Sequence, residues 1–431
     1  MILKVINVTL VITIISSVTI AQEFEYSEIF PLPETGFIEQ VLNGLDVLEE
    51  LSFQPLYGKT IVVLTNHTSV SRKGVHLLDL LAQYQDSISI RIVYTPEHGL
   101  FSPSDDMVSL PSEGKDPRFN AQIKYLWERR FRPDILDLYG VDLILIDIQD
   151  PGLRYFSYIT TVTKMMEAGA IAEVPVMVLD RPNPFGGIKI EGPMVRPKHQ
   201  SFVGYHLVPI RHGLTVGEYA LMINETGWVR QSERVRLTVV PMIGWERETT
   251  FSETELPWIP PAPGIPDWET LRVYEGMALF NGTNISVGIG TDQPYFLVGA
   301  PWVLGSTVLG LLERSRLPGV QFEAGKFTPD SLNAYLPSPI YRGEECDGIR
   351  MIVTDWNTFE PLRTAATILS IVSSNYPTQF RWTGSFYVDK LYGHDYLRIF
   401  LAQRRDTAKL PATWTHDVIR FSQFREKFLI Y

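Results

Sequence analysis

An α/β architecture, with a Rossmann-like parallel sheet domain followed by a second, smaller α/β (α+β) domain, is what this chain of 431 residues predicts. Three observations carry the expectation. Four short runs, Ile61 to Leu64, Ile88 to Tyr94, Val141 to Ile148 and Val174 to Leu179, are apolar almost throughout. Strands covered by helices on both faces need that pattern, whereas a strand with one wet face alternates. The stretches between them, such as Gly74 to Tyr84 and Ser157 to Ala172, have helical periodicity and crossover length. Finally, a proline-rich stretch from Leu256 to Pro266 separates this regular part from a remainder of different texture.

Taken in chain order, Met1 to Ala21 holds one lysine, an uncharged apolar run from Val5 to Ile20 and then small residues. That order is expected of a secretory signal peptide over residues 1–21, which would send the protein to the periplasm or the cell exterior, with an uncleaved N-terminal anchor as the alternative. No cysteine follows the run, so no lipoprotein anchor is expected. The spacing of Phe37, Val41, Leu45, Val47 and Leu51 suggests a helix from about Pro33 to Leu51. After the four strands come a helix from Thr215 to Asn224 and a strand from Val235 to Val240. The domain boundary falls between Val240 and Pro260, giving a catalytic domain at 34–245 and a domain at 246–431 that closes the cleft. Within the second, Gly348 to Thr354 reads as a strand and Pro361 to Ser374 as a helix.

With 45% hydrophobic residues the chain can bury full cores, and its formal charge of −11 is spread among interspersed acids and bases. It therefore has no footprint for nucleic acid, no polybasic segment for anionic lipid, and no stable membrane association expected once the signal is cleaved. The single Cys346 cannot form an intramolecular disulfide and reads as a buried small apolar residue.

Open parallel sheets bind ligands beyond the carboxyl ends of their strands, so the polar residues after each apolar run are the ones to collect. They are Thr65-Asn66-His67-Thr68, Thr95-Pro96-Glu97-His98-Gly99, Asp147-Ile148-Gln149-Asp150 and Asp180-Arg181-Pro182-Asn183. Helix caps account for one such end, while four in succession with His, Glu, Gln and Arg included point to a shared polar crevice. Neither G-x-G-x-x-G after the first strand nor G-x-x-x-x-G-K-[ST] occurs, so no dinucleotide or other cofactor is expected. A G-x-S-x-G elbow and close metal-ligand spacings are absent too, and no metal is expected. Carboxylate acid/base work survives, with glycoside cleavage the leading case. Glu97, at a strand end beside Pro96 and Gly99, has surroundings that favour the neutral acid. His67 and His98 are candidates to orient it or contact sugar hydroxyls, or are ordinary histidines at the core rim.

These same residues resemble a known family. Thr65-Asn66-His67, Pro96-Glu97-His98-Gly99, Asp147-Ile148-Gln149-Asp150, Arg154 with Tyr158, Asp180-Arg181-Pro182-Asn183-Pro184, Glu191-Gly192-Pro193, Arg211-His212-Gly213 and Gly282-Thr283-Asn284 follow in order the pattern of the exo-β-N-acetylmuramidases, a glycoside hydrolase family long catalogued as a domain of unknown function. The likeness runs from about Gly44 to Phe424. It implies a Rossmann-like first domain, a smaller second one, a cleft between them, and catalysis by the glutamate of the Glu-His-Gly motif, here Glu97. It also implies release of terminal N-acetylmuramic acid from the non-reducing ends of peptidoglycan fragments such as MurNAc-GlcNAc. Asn66, His67, His98, Asp147, Gln149, Asp150, Arg154, Tyr158, Arg181, Asn183, Arg211, His212 and Asn284 become the candidate substrate-binding residues. Arg154, Arg181 or Arg211 is the expected partner for the lactyl carboxylate, which a guanidinium takes bidentately. The pattern departs from the family between Leu100 and Trp127 and around Asn281 to Thr291, where a usual arginine and two usual glutamates are missing. A glycosidase of altered amino-sugar specificity and a catalytically weak muropeptide-binding protein are the alternatives.

Overall fold

The computed structural model describes residues 24–32, 40–100, 113–127, 130–228, 234–330 and 339–431. The expected signal peptide at 1–21 lies outside the described residues. Strand β1 (Ser27–Ile29) is followed by a short helix, α1 (Gly44–Glu50), rather than one starting near Pro33, part of which is outside the described residues. Asn43 caps α1 through its side-chain oxygen, closing a capping box with Asp46. Only glycine serves at 44, because a Cβ there would lie 2.6 Å from the Asp180 amide nitrogen and 2.7 Å from the Val240 carbonyl oxygen.

The four apolar runs become parallel strands: β2 (Thr60–Thr65), β3 (Ser89–Thr95), then, after β4 (Glu113–Lys115) and β5 (Gln122–Tyr125), β6 (Leu143–Asp147) and β7 (Val176–Leu179). With β8 (Leu237–Val240) they form an eight-stranded sheet in the order β1-β8-β7-β6-β2-β3-β5-β4, parallel except for β4 against β5. Ile61, Val62, Val63 and Leu64 are all fully buried, as a central strand between two helical layers requires. The crossovers are α2 (Leu77–Leu81), α3 (Tyr158–Ala172) and α4 (Val216–Glu225), the last capped by a Thr215–Glu218 capping box.

The proline-rich stretch runs without regular structure over the carboxyl ends of the strands, offering Pro260 and Pro261 carbonyls to His67 and Tyr158. Beyond it, α5 (Trp268–Met277), α6 (Gly305–Ser315) and α7 (Pro361–Asn375) accompany a three-stranded antiparallel sheet, β10-β11-β9, made of β9 (Leu297–Ala300), β10 (Val320–Phe327) and β11 (Cys346–Val353). Cys346 is buried in β11, and burial pushes its thiol up to about 11, away from the thiolate. Three further helices, α8 (Tyr387–Tyr392), α9 (Tyr396–Ala402) and α10 (Thr415–Arg425), lead back to the first domain. There Arg425 donates to the carbonyls of Gly187, His212 and Gly213. Tyr431 donates to Asp180 at 2.8 Å.

Candidate active site

Strand β2 has β3 on one side and β6, four strands later in the chain, on the other, so the topological switch point lies between β2 and β6. The loops after these strands are laced together. The Gln149 amide donates to the Thr68 hydroxyl at 3.1 Å, and that hydroxyl donates to Asn66 Oδ1 at 2.6 Å. The next loop, after β3, carries Glu97.

Pro96, Glu97, His98 and Gly99 form a tight turn in which the Gly99 amide returns to the Pro96 carbonyl at 3.1 Å. His98 and Gly99 both have positive φ, 72° and 75°, and a left-handed histidine is a conformation held only when its surroundings over-determine it. The turn aims Glu97 at the first residues of α3, where the Ser157 hydroxyl donates to Glu97 Oε2 at 2.8 Å. Partial burial raises the Glu97 pKa, and the Ser157 hydrogen bond opposes the rise by favouring the ionised form. No cation is paired with it among the described residues.

Three phenols lie within electrostatic reach of Glu97: Tyr158 at the start of α3, Tyr274 on α5 and Tyr387 at the start of α8. For each, burial is the main cause of a raised pKa and the Glu97 charge adds to it. The carboxyl thus sits where both domains meet. Beside it, burial holds the His98 pKa down to about 4, helped by neighbouring His67, so His98 is a neutral ring at physiological pH. His67 Nε2 lies 2.8 Å from the Pro260 carbonyl and therefore carries its proton there. Among the described residues no group of three or more His, Cys, Asp and Glu side chains is placed to hold a metal ion.

Several residues expected in the crevice are instead its buried frame. Asp147 takes Arg181 bidentately at 2.5 and 2.8 Å, and Arg181 also donates to the Val70 carbonyl at 3.0 Å. Arg154 spends its guanidinium on the carbonyls of Pro193, Val208 and Leu391, each at 2.7 Å. Arg211 pairs with Glu275 through two nitrogens and stacks on Phe185 at 4.3 Å. All three arginines expected to take the lactyl group are thus committed inside the protein. A guanidinium in low dielectric needs carboxylate or carbonyl partners, and these have found them internally. Asp147 likewise has both carboxyl oxygens on Arg181.

Asn183 is another brace: it donates to the Leu214 carbonyl and accepts from the Phe185 amide, both at 2.9 Å. It packs so closely that a Cβ on Gly152 would lie 2.3 Å from its oxygen. Asn284, in the second domain, bridges the Gln379 carbonyl at 2.9 Å and the Arg381 amide at 2.7 Å. Gln149 donates to the carbonyls of Asp150 and Pro182. Tyr158 donates to the Pro261 carbonyl at 2.5 Å while its ring stays beside Glu97.

Asp150 and His212 form a separate buried pair. The Leu214 amide donates to His212 Nδ1 at 3.2 Å, which leaves the proton of the neutral ring on Nε2, 3.9 Å from Asp150 Oδ2. Burial pushes Asp150 up to about 7 and His212 down to about 3, so His212 is a neutral ring at neutral pH while Asp150 is midway through its titration. Ser157, Tyr274 and Tyr387 went unseen in the sequence. Ser157 carried a weak signal as the polar residue opening α3, whereas the two tyrosines reach the site only through the docking of the second domain.

Comparison with known proteins adds to this geometry. Family models described as exo-β-N-acetylmuramidase NamZ match in two parts, the N-terminal one over residues 61–269 and the C-terminal one over 272–431. The chain is 34% identical over 400 residues to the peptidoglycan β-N-acetylmuramidase NamZ of Bacillus subtilis (strain 168), covering 92% of this chain and 93% of that protein. Among solved structures, a DUF1343 family protein from Bacteroides fragilis NCTC 9343 superposes with a TM-score of 0.81 at 29% identity, covering 92% of this chain and 100% of the other. A second from the same organism gives 0.72 at 27% identity, covering 91% and 99%.

Proposed function

The chain belongs to the exo-β-N-acetylmuramidase NamZ family, and from that premise we propose that it is an exo-acting glycoside hydrolase releasing N-acetylmuramic acid from the non-reducing ends of peptidoglycan fragments. One observation carries the reading. Glu97 is a carboxyl raised by desolvation, without a cation among the described residues, held by Ser157 at the meeting of both domains. A carboxylic acid kept neutral at working pH is what protonation of a departing sugar oxygen needs. Ser157 occupies Oε2, so Oε1 is the oxygen that presents the proton. As the glycosidic bond breaks, that proton passes to the leaving oxygen, the anomeric carbon gains its new hydroxyl oxygen from water, and the new carboxylate is stabilised by the Ser157 hydroxyl. Tyr158, Tyr274 and Tyr387 wall the site and keep water from levelling the Glu97 pKa. Incubation with MurNAc-GlcNAc followed by mass spectrometry tests the reading: free N-acetylmuramic acid is expected, and an intact disaccharide would refute it.

The internal commitment of Arg154, Arg181 and Arg211 favours a second reading, a glycosidase of altered amino-sugar specificity, because none of the three is left for a lactyl carboxylate. Release of N-acetylglucosamine from GlcNAc-GlcNAc at a rate equal to or above that from MurNAc-GlcNAc would select it. Export to the periplasm or beyond is part of the proposal and rests on the charge, apolar run and small residues of 1–21. No described helix is long and apolar enough to cross a membrane. N-terminal sequencing of the exported protein, expected to begin after Ala21, checks it.

A further inference from the structure

On the far side of α5 from Glu97, the two domains line an open cavity of about 420 Å³ that the hydrolytic site does not use. Arg272 and Tyr274 stand two positions apart on α5, about 200° around the helix, so Tyr274 faces the Glu97 side and Arg272 the cavity. The lining mixes polar side chains with aromatic rings: Phe185 from the first domain meets Trp268 edge to face at 5.0 Å, and Trp356 contributes a third ring. The Arg272 guanidinium lies 4.3 Å from the Trp356 ring centroid and 5.7 Å from that of Trp268. It is half-buried, donates one hydrogen bond, at 3.0 Å to the Trp356 carbonyl, and has no carboxylate in ion-pair distance among the described residues.

That makes Arg272 unlike the other cations of this cavity. Arg211 is matched by Glu275 and Lys189 by Glu191 at 2.6 Å. A guanidinium over an indole, with one N–H on a carbonyl and no carboxylate beside it, has N–H groups left for a two-oxygen acceptor. Two exposed carboxylates, Glu248 and Glu253, also line the cavity. They oppose a multiply charged anion such as phosphate and suit a ligand that carries an ammonium or amide N–H together with a single carboxylate. The volume is within the range of small-ligand sites and fits a body of two or three residues.

We propose that this interdomain cavity is a second binding site, taking the free carboxyl end of a short peptide, with Arg272 as the carboxylate anchor and Trp268 and Trp356 as its walls. The site is separate from hydrolysis at Glu97 and does not depend on it.

Titration calorimetry on the full chain tests this with three probes: trialanine, trialaninamide and inorganic phosphate. Trialanine is expected to bind one to one, with the amide at least tenfold weaker because it lacks the charge-assisted pair, worth roughly ten- to a hundredfold. Arg272→Met and Arg272→Gln are each expected to lose at least tenfold while keeping the wild-type melting transition, since Arg272 is only half-buried. Equal binding of acid and amide, phosphate binding more tightly than trialanine, no saturable heat, or wild-type affinity in both variants would each overturn the proposal. The comparison of acid with amide on the unaltered protein decides the matter even if a variant fails to fold.

Discussion

Replacing Glu97 with Gln keeps the shape of the side chain and an oxygen for the Ser157 hydroxyl, which now stands 2.8 Å from Oε2. It removes only the transferable proton. General acid catalysis contributes about 10²–10⁴-fold, or about 3–5 kcal/mol of barrier, so turnover of MurNAc-GlcNAc should fall by that factor with KM little changed. A nitrophenolate leaves with little protonic help, so the aryl glycoside should stay within about tenfold of wild type.

The same substitution has a stability signature with a fixed sign. The folded pKa of Glu97 lies above its ordinary value, so the folded state holds the proton more tightly than the unfolded chain does. Stability from this group is complete below the ordinary carboxylate pKa and is lost as pH rises through the raised folded one. The Gln variant escapes that loss. Its melting temperature should equal wild type at pH 4 and match or exceed it at pH 8. Steady-state kinetics on both substrates and melting at both pH values make the test. Full activity of a folded Glu97→Gln protein on the disaccharide would refute the acid assignment, and equal losses on both substrates would move Glu97 to the role of nucleophile or base.

Ser157→Ala removes the hydrogen bond that favours ionised Glu97, so the alkaline limb of the pH–rate profile should move to higher pH; an unmoved limb would detach Ser157 from the titration. Asp150→Asn abolishes a carboxyl raised to about 7 from an unfolded value of 3.8, a shift that costs the fold stability as pH climbs through that interval. Urea unfolding at pH 5 and pH 8 should therefore show a smaller loss between the two in the variant than in wild type. Arg154→Met strands three buried carbonyls, and with about 1–3 kcal/mol lost per unsatisfied group the variant should unfold at least about 3 kcal/mol more easily. Arg154→Lys should leave the preference among amino-sugar glycosides unchanged per folded molecule, since the buried guanidinium is committed to three carbonyls.

The strands, their parallel pairing and the crevice at their carboxyl ends were legible because uninterrupted apolar runs have few other uses, and Glu97 was legible because it follows one of them directly. Side-chain direction was not. Asp147 and Arg181 stand at strand ends exactly as binding residues would, yet they face each other beneath the surface, and alternation along a strand end does not reveal which way a long side chain turns. Arg154 was likewise indistinguishable from a ligand-binding arginine until Leu391, 237 positions away, proved to be its partner. Helix α2 came out shorter than the periodicity of Gly74 to Tyr84 suggests. Ser71 to Val75 form a hydrogen-bonded turn first, His76 then caps the helix, and its last residues tighten into a 3-10 turn at Ala82–Tyr84. Tyr274 and Tyr387 depend wholly on docking, for which a single sequence carries no local signal.

The long reach of Arg154 and Arg425 has a kinetic side. The Arg154 cation is solvated by the carbonyls of Pro193 and Val208 in the first domain and by that of Leu391, and the carbonyls of Gly187 and Gly213 also take Arg425. The first domain therefore cannot complete its own interior until α8 to α10, near the end of the chain, have been made and have folded back. Until then it carries a desolvated cation short of one partner, and the Gly187 and Gly213 carbonyls have Arg247 but lack Arg425. Loop closures of more than two hundred residues come late in folding. The two lobes are thus a single cooperative unit on the folding pathway, and calorimetry should register one unfolding transition where the sheet arrangement alone would suggest two.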